Sequence, residues 1–583
     1  MVIISGTVIW FTDSVPTVQY ILKMPSQSST EFLDVKNRHI ASYGQFQKEY
    51  VHIQDIPKHL IHALIATEDR RFYKHFGIDF LGIIRALKEN ITKGRIVQGG
   101  STITQQLAKN ILHQTKAFDH RDRSLKRKIM EAILAIKIEK ALGKEKILEM
   151  HLNRAYMGSG TWGLNAASFK YFGHAAKDLN LYESCLLVGL LQAPSIYSPA
   201  RNQIHSERRG QKVLDAMVSE GFISSEVSEA AMVIPSALAK ENYQYSARYF
   251  TDWLMDELYA QGMLNVEKDI KVHTTLDLDI QKMAEDISRQ TMAEYGPKWG
   301  AKQAALVSMK HDGAVQAMIG GLNYLTSPFN RATKSMRQTG SAFKYFVFLA
   351  ALMEGWCPDS MISDAPVSIG DWTAKNFKLY KPCGNITLRK AFAESVNTST
   401  IRLAQSVGIK KIITMMKDLG VTTHIPDKAK NMTLAIGTLN LSVLEITSAF
   451  AAMINQGARV TPYGIQKITS RNNKVVYEQE NVDQFETIDP EVVQEMRTLL
   501  ESVMTSGTGR RANIEGIWCG GKSGTSNTGI YDRDLWFVGM TNAICTGVWA
   551  GCDKEEPMTH QSGGSPALHI WHRFNKAVIQ KKP

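Results

Sequence analysis

The residues of this 583-residue chain most suited to chemistry sit in a few short, dense stretches. In GIWCGGKSGTSN, residues 516–527, Gly516, Gly521, Lys522 and Ser523 fit the phosphate-loop pattern G-x-x-x-x-G-K-[ST]. Such a loop must follow a strand and open a helix, whose first N–H groups cradle the phosphates. Here Gly524, Asn527 and Gly529 follow the lysine, and they are poor helix formers. LWFVGMT and ICTGVWAG come next and read as paired strands. Lys522 is therefore expected on or beside a strand, serving an anion other than a nucleotide phosphate.

GSAFK offers a second lysine, Lys344, three residues after Ser341. Gly340-Ser341 opens the apolar run YFVFLAALMEG, so Ser341 is expected at a helix N-terminus with Lys344 one turn later on the same side. Unsatisfied N–H groups at a helix start favour an oxyanion. A buried lysine beside other cations loses its proton readily and can take one from a serine. Alone, the pair reads better as a helix cap and a surface lysine. A third stretch, AESVNTST, holds Ser395 and Asn397, which point the same way if the tripeptide is extended.

The N-terminal half has its own dense stretches. ATEDRRFYKHFGID contains Glu68, Asp69, Phe72 and His75; GGSTITQQLAKN contains Gly99, Thr102, Gln106, Lys109 and Asn110; KRKIMEAIL contains Arg127, Lys128 and Glu131. On a helix Glu131 lies one turn from both Arg127 and Lys128. Read singly, that is a surface ion pair worth under ~1 kcal/mol.

These stretches need at least two domains to hold them, which suits the length. Residues 58–225 are expected to be mostly helical. In SLKRKIMEAILAIKIEKAL, Leu125, Ile129, Ala132, Ile133 and Ile136 form an apolar stripe. LYESCLLVGLLQAP is a second helix, closed by Pro194. Residues 13–57 read as a stalk broken by Pro16, Pro25 and Pro57, and 226–300 as a linker and lead-in. Residues 301–575 alternate strands and helices, with QAALVSM and AVQAMIGG forming a hairpin at Asp312-Gly313. Six cysteines, none spaced C-x-x-C, argue against zinc and against a disulfide framework. The net charge of +12 calls for an anionic partner: nucleic acid, a membrane surface or a phosphorylated substrate.

The order S-x-x-K, S-x-N, K-S-G-T, followed by DLWFVGMT, resembles the penicillin-binding transpeptidases and serine β-lactamases. The stretches through 58–225, with KILEMHLNRAYMGSGTWGLNAAS and ERRGQKVLDAM, resemble the peptidoglycan glycosyltransferases. Together they are similar to the class A, bifunctional penicillin-binding proteins. The departures are Thr339 where proline is usual, Ser523 where threonine is frequent, and a slightly long QTKAFDHRDRS. The resemblance implies a mainly α, lysozyme-like glycosyltransferase domain at 58–225. An α/β transpeptidase domain with an antiparallel sheet follows at 301–575.

It also implies roles. Ser341 would attack a D-alanyl-D-alanine carbonyl, with Lys344 as base and Ser395 relaying a proton to the leaving amine. Asn397 would hold the peptide amide. Lys522 and Thr525 would meet the terminal carboxylate, and the N–H groups of Ser341 and Thr525 would form the oxyanion hole. In the glycosyltransferase Glu68 would be the base towards the acceptor hydroxyl. Glu131, Lys109, Arg127 and Lys128 would sit at the donor diphosphate, and Asp69, Phe72, His75, Gly99, Thr102, Gln106 and Asn110 would line the substrate.

The implied partners are lipid II, nascent glycan strands, stem peptides, β-lactams, the membrane and other cell-wall proteins, but not nucleic acid. No cofactor is implied for the transpeptidase. A divalent cation, magnesium or manganese, could bridge the diphosphate in the glycosyltransferase. The implied place is the outer, periplasmic face of a bacterial inner membrane, with a single-pass anchor. Residues 1–12, MVIISGTVIWFT, would span only about 17–18 Å as a helix, against a ~30 Å bilayer core. They read either as a buried element or plain start or as the end of that anchor, and the resemblance favours the anchor. The competing classes are a P-loop NTPase, a scaffold with dead sites, and a carboxypeptidase or β-lactamase.

Overall fold

The computed structural model describes residues 15–581 apart from 24–29, 44–49, 93–99, 115–123, 159–160, 200–202, 234–246, 264–268, 325, 370–371, 375, 377–379, 471, 481–487, 528–529, 555 and 560–563. The anchor end expected at residues 1–12 therefore lies outside the described residues. Among those described, no helix is long and apolar enough to cross a membrane. The chain divides into two compact units, Met1–Ser29 with Tyr43–Asn242, and Thr30–Ser42 with Tyr243–Pro583.

The first unit is helical. Helix α1 (Lys58–Glu68), α2 (Phe80–Thr92), α3 (Ile103–Gln114), α4 (Leu125–Ala141), α5 (Lys144–Arg154), α6 (Leu181–Leu190) and α7 (Gln203–Ser219) carry most of it. α6 is almost wholly buried and is opened by a capping box in which Asn180 and Glu183 exchange bonds. It ends at Leu190, and Pro194 instead begins a further short helix, Pro194–Tyr197, where a missing N–H costs nothing. The stripe expected on α4 is displaced. Ile129 and Ile136 are exposed, while Met130, Leu134, Ala135 and Ile138 are buried and carry Glu131 inward with them. The helix is apolar on two sides, so spacing alone fits either face.

The second unit contains two five-stranded sheets. One joins β1 (Thr30–Leu33) and β2 (His39–Tyr43) to β3 (Ile270–Thr274), β8 (Ile465–Ser470) and β9 (Val475–Glu478), in the order β9-β8-β3-β1-β2. Part of the segment read as a stalk thus belongs to this sheet; it pairs in parallel with β3, more than two hundred residues away, which no local pattern signals. The central sheet has the order β10-β11-β12-β4-β5, from β4 (Gln303–Met309), β5 (Val315–Ile319), β10 (Cys519–Asn527), β11 (Asp532–Thr541) and β12 (Cys545–Gly551). All its pairings are antiparallel, and β4 and β5 form the expected hairpin, with Gly313 at φ +91° in the turn. Helix α8 (Leu278–Trp299), within the expected linker, packs on α12 (Pro566–Lys581) and on β5. Trp299, Phe537, Trp571 and Phe574 share that core.

Candidate active sites

In the second unit the serine–lysine pair spans a 3₁₀ turn, Gly340–Phe343, which leads into helix α9 (Lys344–Met353). The approach of this turn to edge strand β10 is close. Gly340 has φ +52°, and a Cβ there would lie 2.3 Å from the Thr525 carbonyl oxygen and 3.0 Å from its nitrogen. Glycine alone permits that contact. It places Ser341 beside the backbone of Thr525 on the outer edge of β10.

Lys344 and Lys522 are both fully buried. Lys344 Nζ donates to the Ser395 carbonyl at 2.6 Å, to Asn397 Oδ1 at 2.6 Å and to Ser395 Oγ at 3.2 Å. Lys522 Nζ donates to the same Oγ at 2.9 Å. Ser341, Lys344, Ser395, Asn397, Lys522 and Thr525 thus share one site. Burial and the nearby charge of Lys522 push the Lys344 amine well below its ordinary range. Burial alone brings Lys522 down to about 7.

The Ser395 tripeptide is not extended, contrary to the expectation. Ser395 has φ +57°, in the left-handed region, and Asn397 begins a helix, Asn397–Val407. Both reach Lys344 because the turn presents the Ser395 carbonyl as well as its hydroxyl. A non-glycine residue in that conformation carries strain of the kind found at functional sites.

In the first unit Glu68 ends α1 and accepts from Gln106 Nε2 at 2.8 Å. Arg209 on α7 stands 3.9 Å away, and both side chains are 14% exposed. Burial raises the Glu68 pKa, while the Gln106 N–H and the Arg209 charge oppose the rise. Glu131 is 1% exposed and gives one oxygen to Arg127 at 2.6 Å and the other to Lys128 at 2.9 Å. Lys128 Nζ also donates to Ser101 Oγ at 2.9 Å, at the start of α3, the helix that bears Gln106. Both glutamates are therefore linked to the first turns of one helix.

Several residues expected to line the substrate instead build its frame. Asp69 accepts from His75 Nε2 at 2.9 Å and from the Ile103 N–H at 3.1 Å, so it ties the end of α1 to the start of α3. His75 Nδ1 accepts from Gly77 N–H at 3.2 Å. Thr102 and Gln105 exchange capping bonds at that same start. Asp69, Phe72, His75 and Thr102 are all buried. Lys109 is exposed and Asn110 half-buried on α3, and Gly99 lies outside the described residues. Arg209 and Ser101 were missed as individual residues. Arg209 lies within ERRGQKVLDAM, and only folding brings it to Glu68.

No group of three or more His, Cys, Asp or Glu side chains able to hold a metal occurs among the described residues. Both oxygens of Glu131 are already bonded to cations, so the residues present do not form a protein cage for a divalent ion.

Two buried lysines that share the Ser395 hydroxyl, beside the Gly340–Phe343 turn and edge strand β10, suit acyl transfer to a serine, and this site shares a chain with a helical unit bearing a carboxylate and a cationic cluster. Residues 36–218 match the family profile described as Transglycosylase, and residues 303–551 that of the Penicillin binding protein transpeptidase domain. Penicillin-binding protein 1A of Aquifex aeolicus is 34% identical, across 96% of this chain and 87% of its own. Penicillin-binding protein 1A of Pseudomonas aeruginosa is 28% identical, across 99% and 89%. The crystal structure of penicillin-binding protein 1A from Haemophilus influenzae shares the fold, with a TM-score of 0.55 at 21% identity over 96% of this chain and 93% of that one. The chain belongs to the class A, bifunctional penicillin-binding proteins. It is a peptidoglycan synthase that combines glycosyl transfer with transpeptidation.

Proposed function

We propose that Ser341 is the acyl-accepting nucleophile and Lys344 its base. The observation that carries this is the convergence of Lys344 and Lys522 on Ser395 Oγ, with Asn397 accepting from Lys344. The carbonyl oxygens of Ser395 and Asn397 orient the Lys344 amine, and in its neutral form the amine lone pair takes the Ser341 proton. The proton then passes by way of Ser395 Oγ to the leaving amine of a D-alanyl-D-alanine stem peptide. Lys522 and Thr525 hold the terminal carboxylate of that peptide, and Asn397 its amide. The N–H groups of Ser341 and Thr525 receive the oxyanion. An amine of a second stem peptide completes the cross-link. A β-lactam enters the same route and stalls as the acyl-enzyme; the PonA1 protein of Mycobacterium tuberculosis, 26% identical with a TM-score of 0.51 over 58% of this chain and 93% of that one, has been solved with penicillin V.

For glycan growth, Glu68 takes the proton of the acceptor sugar 4-hydroxyl, and a raised carboxylate pKa suits a general base. Arg127, Lys128, Lys109 and Arg209 face the diphosphate of a lipid-linked donor, lipid II. Glu131 orders the first two of these cations. Asp69, His75, Phe72 and Thr102 position Glu68 and α3 from behind, with Gln106 orienting the carboxylate. A divalent cation would arrive with the diphosphate. Membrane attachment is supported by an apolar face at Phe76, Phe80, Ile84 and Ile91, which are 85, 70, 63 and 71% exposed. Residues 1–12 would extend that attachment as the end of a single-pass anchor, with both units on the outer face.

The test is the purified chain supplied with lipid II. Glu68→Gln should stop glycan growth and leave penicillin labelling intact; Ser341→Ala should leave chains growing, uncrosslinked and unlabelled. Polymer from Glu68→Gln at the wild-type rate would reject the base, and an adduct on Ser341→Ala would reject the nucleophile.

A further inference from the structure

Beside the acylation site lies a buried carboxylate that the three motifs leave unused. Asp534, on β11, is 4% exposed. Its Oδ2 accepts the Ser526 hydroxyl at 2.6 Å, and its Oδ1 accepts the indole N–H of Trp549 at 2.9 Å. The Arg337 guanidinium reaches to 3.9 Å from Oδ1 and lies over the Trp549 ring at 4.8 Å. A carboxylate this far from water is stable only with such partners.

The partners come from functionally placed segments. Ser526 follows Thr525 directly on β10. Arg337 stands four residues before Ser341, in a short strand β6 (Arg337–Gln338) that pairs with β7 (Asn440–Leu441). Trp536, two residues after Asp534, donates its N–H to the Gln338 carbonyl at 2.9 Å. The β10–β11 ladder shifts register between Ser526 and Asn527, just where the Ser526–Asp534 bond joins the two strands. The side-chain bond therefore secures the end of β10 at the point where backbone pairing becomes irregular.

We propose that Asp534 is a positioning residue for acyl transfer: through Ser526 and Arg337 it holds the Thr525 backbone and the segment leading into Ser341 in register with each other. The inference rests on the assignment of Ser341 and Thr525 made above. A shift of β10 by a fraction of an ångström moves the Thr525 N–H off the forming oxyanion, which slows acylation more than it weakens the first encounter.

The experiment uses the full chain and a fluorescent penicillin, with the acylation rate constant and the preceding dissociation constant resolved by rapid mixing. Asp534→Asn and Ser526→Ala should each slow acylation by about tenfold or more, with the dissociation constant changed by less than about twofold. Ser526→Thr, which keeps the hydroxyl, should restore the rate, and glycan polymerisation should be unchanged in all three. Unchanged acylation in Asp534→Asn and Ser526→Ala overturns the proposal. So does a Ser526→Thr variant as slow as Ser526→Ala, since that marks a packing effect. If Asp534→Asn does not fold, the Ser526 pair decides. Persistent labelling of Ser341→Ala would instead refute the nucleophile assignment.

Discussion

One hydroxyl joins two buried amines: Ser395 Oγ lies 2.9 Å from Lys522 Nζ and 3.2 Å from Lys344 Nζ. The two lysines are consequently coupled. A charged Lys522 makes the protonated form of Lys344 unfavourable, and burial acts on Lys344 in the same direction. On the proposed assignment the pair divides the work, with Lys344 neutral as a base and Lys522 meeting a carboxylate in its protonated form.

That coupling sets a pH dependence. Lys522→Gln removes a positive charge near Lys344, so the Lys344 pKa rises and the base becomes protonated at higher pH. The acidic limb of the acylation rate profile should move to higher pH, beyond any overall loss of rate. In the unaltered protein, acylation by an anionic penicillin should decline above about 7, as Lys522 loses its proton. An acidic limb that stays in place in Lys522→Gln would mean the two amines titrate independently.

The Gln106–Glu68 bond makes a parallel prediction for glycan growth. The Gln106 N–H favours the ionised carboxylate and offsets part of the rise due to burial. Gln106→Leu should raise the Glu68 pKa further, leaving less of the base ionised at a given acidic pH. The acidic limb of the polymerisation rate should therefore shift upward in pH, with penicillin labelling unaltered. Equal profiles for the two proteins would exclude Gln106 as the orienting group.

The residues that meet in the two candidate sites were legible because each motif is short and contiguous, and because a strand or helix start fixes where its side chains face. Lys522 on a strand, and Ser341 one turn ahead of Lys344, needed only local reasoning. The geometry of Ser395 was not legible, since nothing in AESVNTST marks a left-handed residue. The inward face of α4 was ambiguous between two apolar stripes, and only packing chose the one that carries Glu131. Strand 30–33 on β3 and Arg209 beside Glu68 depend on contacts between residues distant in the chain, and Asp534 beside Ser526 depends on the register of the β10–β11 ladder. Spacing carries no information about those.

Gly340 tests how tightly the nucleophile turn must meet β10. A methyl group there would stand 2.3 Å from the Thr525 carbonyl oxygen, and alanine resists φ +52°. Gly340→Ala should slow penicillin acylation by about a hundredfold, a loss typical of displacement by roughly 1 Å. Glycosyl transfer, carried by the other unit, should be retained. Normal acylation in this variant would show that the turn and the strand can separate without harm.

His151 offers a stability test in the first unit. It lies on α5, 1% exposed, and neither ring nitrogen has a hydrogen-bond partner. Burial pulls its pKa from 6.5 down to about 4. Above 6.5 the imidazole is neutral whether the chain is folded or not, so it makes stability no more pH-dependent there. Between 6.5 and 4 the unfolded chain takes up a proton that the folded one refuses, and stability falls as pH falls, by about 3 kcal/mol over that window. His151→Phe removes both this proton linkage and an unsatisfied buried N–H. Thermal unfolding of the full chain at pH 7 and pH 4.5, followed through loss of glycosyl transfer, should show a much smaller acid-induced drop in the variant. An equal drop in both would mean that His151 is hydrated or otherwise charged in the folded state.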